Sequence, residues 1–298
     1  MKRCLHLSLF VFLLAGMTAC SVKPRDIPYD TPAGEVKLIS FNIRQSGMAK
    51  KDGPDRWAKR RDAVLNMIER ESPSVLGIQE GLIDQVRYIE RGCPQFARIG
   101  VGRDDGAQAG EIMAIFYRSD YFELLDWGTF WLSETPSEVS RGWDAVCNRT
   151  VTWAQLREKA TRKTFYYLNT HFDHQGAEAR RESVRLIADF IRDRIPADAT
   201  VVAGGDLNST IDDEIFEPLK ALLQVARDIA EPTDRGGTFN GFGSAPGNIV
   251  LDHLFCRNVA DASLRTLRDD FGGTMISDHY PVEFIFRLPG NDRTTTAE

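Results

Sequence analysis

The sequence predicts an α/β fold with two packed sheets flanked by helices, on three observations. Eleven short apolar or alternating runs read as strands, against four segments with helical spacing. Several of those runs succeed each other with no helix between them, which fits two packed sheets. The runs also stop abruptly at polar clusters, as buried strands do when they deliver polar groups to one rim of a sheet.

In chain order, Val36-Lys37-Leu38-Ile39 opens a strand near 36–44 and stops at Ser40-Phe41-Asn42. Trp57 to Glu71 is helical, since Ala58, Val64, Leu65 and Ile68 share a face. Val75-Leu76-Gly77-Ile78 (strand 75–80) stops at Gln79-Glu80, and Leu82 to Arg91 is a shorter helix. Strands near 96–102, 111–118, 121–132 and 147–157 follow without helices. Phe165-Tyr166-Tyr167-Leu168 (strand 163–173) ends in Asn169-Thr170-His171-Phe172-Asp173-His174. Gly176 to Ile195 is helical, with Val184, Ile187, Ala188 and Ile191 on one side. Thr200 to Ala203 (strand 200–207) ends in Gly205-Asp206-Leu207-Asn208, and Asp213 to Leu223 is a brief helix. Asn248-Ile249-Val250-Leu251 (strand 248–257) runs into Asp252-His253. Strands near 262–268 and 279–287 close the chain, with Ser277-Asp278-His279 at the start of the last.

The first nineteen residues read as an address: Lys2 and Arg3 give a positive start, and Leu5 to Met17 is an apolar run too short to span a bilayer. Met17-Thr18-Ala19 before Cys20 resembles a bacterial lipobox, which implies cleavage before Cys20 and lipid on that residue. Buried acyl methylenes contribute about 0.8 kcal/mol each, so multiple chains would anchor the protein stably on a membrane of the bacterial cell envelope. Residues 20–34, with three prolines from Ser21 to Gly34, read as lipidated Cys and tether, 35–289 as one domain, and 290–298 as a tail. No internal repeat or composition shift marks a second domain, and nothing points to a protein partner or beyond a monomer. Cys93, Cys147 and Cys256 remain: one bridge such as Cys93 to Cys147, or three buried thiols.

Net charge is −6 and the sequence pI about 5.5. Proteins that grip long nucleic acid carry a basic face, so this balance argues against duplex DNA and for a small or exposed phosphoester. Lys50-Lys51 is a local basic patch, while Lys59-Arg60-Arg61 and Arg180-Arg181 read as solvated helix faces.

The order and spelling of the six polar clusters, ending in Ser-Asp-His-Tyr-Pro-Val, resemble the endonuclease/exonuclease/phosphatase superfamily, the DNase-I-like metal-dependent phosphoesterases, from about Val36 to Leu288. Thr129 to Pro136 and Thr170 to His174 look most like a bacterial branch near the deadenylase-type members. The resemblance implies a four-layer α/β sandwich with two mainly antiparallel sheets. It implies Mg²⁺ or Mn²⁺ with Glu80 as principal ligand, Asp278 as a direct or outer ligand, and Asn42 either touching the metal or orienting a carboxylate. It implies that Asp252 and His279 pair to neutralise the transition state, that His171 adds a donor to the phosphate, and that Asp206 positions and deprotonates the attacking water, with the Asn208 carboxamide holding Asp206 or the phosphate.

The residues themselves agree with such chemistry. Burying Glu80 alone is too costly, so it must pair, bind a cation or cap the helix that follows. The four histidines beyond the leader, His171, His174, His253 and His279, all lie in the clusters, although alternation turns His253 away from Asp252. His279 and Asp206 are expected at an exposed rim. Abasic-site repair members usually carry an acid where Arg44 stands, which counts against a DNA-repair role; Arg44 holds a substrate phosphate or pairs with a carboxylate. Arg149 contacts phosphate or sits in an internal salt bridge. Trp131 reads as core, and Phe239, Asn240 and Phe242, set among glycines, read as a substrate rim.

The expected activity is metal-dependent hydrolysis of phosphoesters by in-line attack of water, on a small or single-stranded nucleotide-type substrate, as in 3′–5′ RNA exonucleases. The alternatives are phospholipid headgroups or inositol and sugar phosphates, and a lipid-anchored binding protein without turnover; fold does not choose among them.

Overall fold

The computed structural model describes residues 22–28, 31–272 and 275–290; the expected signal peptide, Cys20 and the tail from Asn291 onward lie outside them. The strands are β1 (Glu35–Asn42), β2 (Val75–Gln79), β3 (Phe96–Ile99), β4 (Ile115–Arg118), β5 (Phe122–Trp131), β6 (Thr150–Glu158), β7 (Thr164–His171), β8 (Thr200–Asp206), β9 (Gln224–Val225), β10 (Asp252–Arg257), β11 (Ala260–Thr266) and β12 (Val282–Arg287). They form two six-stranded sheets, in the orders β11-β12-β1-β2-β4-β3 and β5-β6-β7-β8-β10-β9. Each sheet holds one parallel pair, β1–β2 and β7–β8, and the other pairings are antiparallel. A parallel pair needs a crossover, supplied by helix α1 (Trp57–Glu71) in one sheet and helix α3 (Ala177–Arg194) in the other, with α2 (Ile83–Gly92) beside α1.

Period-two alternation makes the layers. In β1, Val36 and Leu38 face the second sheet while Ile39 and Phe41 face α1 and α2. In β8, Val202 faces the first sheet while Val201 and Ala203 face α3. The result is the four-layer sandwich, helix, sheet, sheet, helix, with Tyr167, Phe165, Phe284 and Phe286 filling the middle.

Sequence and structure differ in detail. Between Ser46 and Asp55 the chain makes three short helical turns that no apolar periodicity announces. The 213–223 helix is broken into a turn at Glu214–Phe216 and another at Glu217–Lys220. Asn248 to Leu251 lies outside the ladder, and β10 starts at Asp252. The expected tether is docked where it is described. Ile27 is buried, Val22 packs on the core, the Arg25 N–H donates to Gly92 O (2.7 Å) and Ser72 Oγ donates to Pro28 O (2.6 Å). All three thiols are free, each burdened by a burial that raises its pKa.

Candidate active site

The polar clusters close one end of the layer between the sheets. Parallel strands bring their C-terminal ends to the same rim, and antiparallel neighbours bring their beginnings. Asn42 lies on the same face of β1 as Val36 and Leu38, so its side chain crosses to the opposing sheet. There its Nδ2 donates to Asp206 Oδ2 (2.8 Å) and to Glu80 Oε1 (3.2 Å). Its Oδ1 accepts from the Arg44 N–H at 3.0 Å, so the amide orients two carboxylates. Gln79 crosses likewise, donating to Asn169 Oδ1 at 2.7 Å.

Backbone strain sits here. Arg44, Glu80, Asn208 and Phe242 all have left-handed φ, between 47° and 59°, and all line one open cleft of about 710 Å³. At Glu80 that turn reverses the chain after β2 and leaves its second oxygen accepting from the Gln45 N–H (3.0 Å). Gly204 and Gly205 lead to Asp206; a Cβ on either would meet a neighbouring strand's carbonyl oxygen at 2.0 or 2.1 Å. Only glycine lets β7, β8 and β10 close up at that point.

Asp206 and Asp252 are cross-strand partners on β8 and β10, and therefore share a face. His279 Nδ1 lies 2.8 Å from Asp252 Oδ2, and its Nε2 lies 3.6 Å from Asp206 Oδ2. Burial opposes charge on this ring, yet Asp252, Asp206 and Asp278 together push the imidazolium up to about 10. Oxygens of Asp206 and Asp252 and a nitrogen of His279 gather within 4.8 Å, a spacing that could hold a cation. A ring charged at both nitrogens has no free lone pair, so this trio is better suited to donating towards an anion.

On the other side His171 is paired in register with Asp206. Its Nε2 faces Asn208 Nδ2 at 3.1 Å and Asp206 Oδ2 at 3.4 Å, and its buried Nδ1 has no hydrogen-bond partner. An amide donor on Nε2 leaves the proton on Nδ1. Burial, with Arg149 nearby, lowers the His171 pKa to about 3, so the ring is neutral at neutral pH. The Asn208 backbone N–H donates to Asp206 Oδ1 at 3.1 Å, whereas its carboxamide, expected on Asp206 or the phosphate, turns to His171 and donates to Phe172 O at 3.0 Å. Asp206 is thus held at both oxygens.

Glu80 and Asp278 are the oxygens suited to a divalent cation. Burial foremost, and the charge of Glu80, raise the Asp278 pKa against the pull of His279 and Arg44. Two such carboxylates facing one cleft form a hard-oxygen donor set that fits Mg²⁺ or Mn²⁺.

The remaining expected site residues divide. Arg44 lines the cleft while pairing with Asp52 (2.9 Å) and Asp278 (3.5 Å). Arg149 also lines it, 3.4 Å from Asp173, with Nη1 buried and unpartnered. Phe239 lines it with its ring edge-on to His279 at 5.0 Å. Asn240 does not: its amide oxygen accepts from the Phe242 N–H and its Nδ2 donates to Ser277 O, tying the loop to the backbone beside Asp278. His279 and Asp206 are 5% and 1% exposed, so they lie at the cleft floor and not on an exposed rim. His253 turns towards Phe216 and away from the site.

Two residues escaped the sequence reading. Arg60, expected on a solvated helix face, is fully buried; its guanidinium donates to the carbonyls of Ile43, Arg44, Asp55 and Ile276 and so braces the segments carrying Arg44 and Asp278. Glu111, close ahead of β4, accepts from Gln45 Nε2 (3.0 Å) and pairs with Arg103 at the cleft wall. The signal for Glu111 was available: an antiparallel strand brings its beginning to the rim, so polar residues before an apolar run count as much as those after one.

A structure from Bacteroides vulgatus described as an endonuclease/exonuclease/phosphatase is 35% identical, covering 86% of this chain and 99% of that one, with a TM-score of 0.78. A mannosyl-6-phosphatase of Bacteroides thetaiotaomicron is 30% identical over 84% of this chain and 98% of that one, TM-score 0.76. The catalytic domain of human Nocturnin, at 16% identity, 88% and 96% coverage and a TM-score of 0.65, shares the fold. The profile of the Endonuclease/Exonuclease/phosphatase family matches residues 39–279, and the chain belongs to that family.

Proposed function

We propose that this protein is a divalent-cation-dependent phosphoesterase acting on small phosphoesters, sugar phosphates foremost. The observation that carries the reading is the set at the cleft floor: Asp206 held at both oxygens, with His279 charged on one side and His171 neutral on the other. Glu80 and Asp278 would hold Mg²⁺ or Mn²⁺, which when bound supplies Lewis-acid neutralisation of a phosphoryl oxygen. Asp206 takes the proton of the attacking water. His279, steadied by Asp252, donates to the phosphoryl oxygens, while neutral His171 lies beside Asp206 with its Nδ1–H towards Glu111. Arg44 and Arg149 supply positive charge at the walls.

A cleft of about 710 Å³ suits a sugar phosphate or nucleotide. The mannosyl-6-phosphatase relative supports the former. A single-stranded nucleotide is the second reading, favoured by Phe239 and Phe242 on the cleft wall, where a base could stack. The protein is further proposed to be held at a bacterial membrane by lipid on Cys20.

The test is a phosphate-release panel of mannose 6-phosphate, glucose 6-phosphate, nucleotides, oligoadenylate, inositol phosphates and sphingomyelin, using protein lacking residues 1–20. Hexose phosphates should lead, and His279→Ala should lower turnover about 100-fold. Undiminished turnover after thorough EDTA treatment would sink the cation; oligoadenylate as the best substrate would replace the sugar reading with the nucleotide one.

A further inference from the structure

The docked segment before β1 fixes where a lipid anchor leaves the fold. Its contacts gather at one end of the first sheet and its helices. The Arg25 N–H meets the C-terminal end of α2 through Gly92 O, and Arg25 O accepts from Gln95 Nε2 at 2.8 Å, just ahead of β3. Pro28 O accepts from Ser72 Oγ, beyond the end of α1. Ile27 O accepts from Arg118 Nη1 (3.1 Å) at the end of β4, level with the start of β2. The cleft lies at the other end: Asn42 closes β1, Glu80 follows β2, and α2 begins three residues after Glu80. Six residue steps from Ser74 to Glu80, along β2, separate the two ends by about 20 Å, at roughly 3.3 Å per residue.

Cys20 precedes Val22 by two residues, which span at most about 7 Å. Val22 is itself packed on the core and Ile27 is buried, so there is no slack in which the domain could swing. Among the described residues no helix is long and apolar enough to cross a membrane, and a lipid on Cys20 would lie at this end of the fold.

We propose that the anchored protein sits with the α1 and α2 C-terminal end against the bilayer and the cleft facing away from it. This rests on the Cys20 anchor of the proposed function and narrows its substrates: they arrive from the aqueous side, and the headgroups of the host leaflet are out of reach. The segment 22–28 is then an orienting strap.

The experiment places a fluorophore on full-length lipidated protein in phosphatidylglycerol–phosphatidylethanolamine vesicles containing headgroup-quencher lipid, in a Cys147→Ser background. One variant carries the probe at Arg91→Cys, exposed beside Gly92; the other at Asn248→Cys, exposed on the loop that bears Phe239 and Phe242. Quenching at 91 should exceed that at 248 at least about threefold. A flexible insert of about ten Gly/Ser residues after Ser21, reaching roughly 17 Å, should erase the contrast. Equal quenching without the insert, or stronger quenching at 248, overturns the orientation. Protein that stays in solution, or a Cys20→Ala variant that binds vesicles as well as the parent, overturns the anchor and the orientation with it. Hydrolysis of hexose phosphate by the same vesicles is read separately, so a wrong substrate assignment is distinguishable from a wrong orientation.

Discussion

Asn42 is the point at which the two sheets share one polar group, and Asn42→Asp tests it without changing its shape. The substitution replaces the donor that sits 2.8 Å from Asp206 Oδ2 and 3.2 Å from Glu80 Oε1 with a third carboxylate oxygen. Two unit charges 3 Å apart at an effective dielectric of about 20 repel by roughly 5 kcal/mol. A shared proton and small relaxations relieve much of that, leaving about 2–3 kcal/mol of destabilisation without a cation. In a domain of this size that is roughly a 5–10 °C fall in Tm. A divalent cation offsets the repulsion, so the Tm gain on adding Mg²⁺ or Mn²⁺ should be larger in the variant than in the parent. Differential scanning fluorimetry with and without the ions measures both quantities. A variant as stable as the parent in EDTA, with no larger response to the ion, would show that the amide does not present its nitrogen to the carboxylates and would refute the reasoning.

Other outcomes follow from the same geometry. Glu80→Gln should weaken cation affinity, so raising Mg²⁺ recovers part of its turnover, whereas Asp206→Asn should lose about 100-fold and not recover; the reverse pattern in a Mg²⁺ titration exchanges their roles. His171, with a folded pKa of about 3, and His253, also lowered chiefly by burial, are neutral in the fold and protonate more readily when unfolded. The stability they confer is complete above about pH 6.5 and is lost as pH falls, for His171 by about 1.4 kcal/mol per pH unit down to about pH 3. His279, raised to about 10, gives constant stability below about pH 6.5, so the loss is read between pH 6.5 and 5, and a Tm unchanged over that window would contradict this. Gly77→Ala puts a methyl 2.0 Å from the hydroxyl of fully buried Tyr167 and should cost about 1–3 kcal/mol in urea unfolding, with partial restoration by Tyr167→Phe. No loss would mean that the middle layer yields there.

Much of this molecule was legible because strands announce themselves twice. Val36 to Ile39 and Thr200 to Ala203 are apolar enough to be buried, and the polar residues that end them mark the rim. Alternation then separates Asp252 from His253, which do face opposite ways. Arg60 was not legible, because a basic residue between Lys59 and Arg61 looks solvated until the fold places four carbonyls around it. Asn240 misled in the opposite direction: a glycine-rich loop implies close approach, and here the thing approached is the chain's own backbone at Ser277. Residues 22–28 have the composition of a linker, and the two apolar residues that dock them are too few to form a pattern.

The bond from Asn42 to Asp206 spans the two sheets, as do those from Gln79 to Asn169, from Asn169 to the carbonyls of Ile78 and Ala114, and between His279 and Asp252. A sideways slip of one sheet over the other by about 3 Å would stretch the 2.8 Å contact beyond hydrogen-bond range and move Glu80 relative to the Asp252–His279 pair. Shear stiffness of the central layer is therefore a kinetic parameter of this enzyme family member, separate from its resistance to unfolding. Repacking around Phe165, Phe284 and Phe286, up to one strand length from the cleft floor, would be felt first as a fall in turnover on warming and only later as melting.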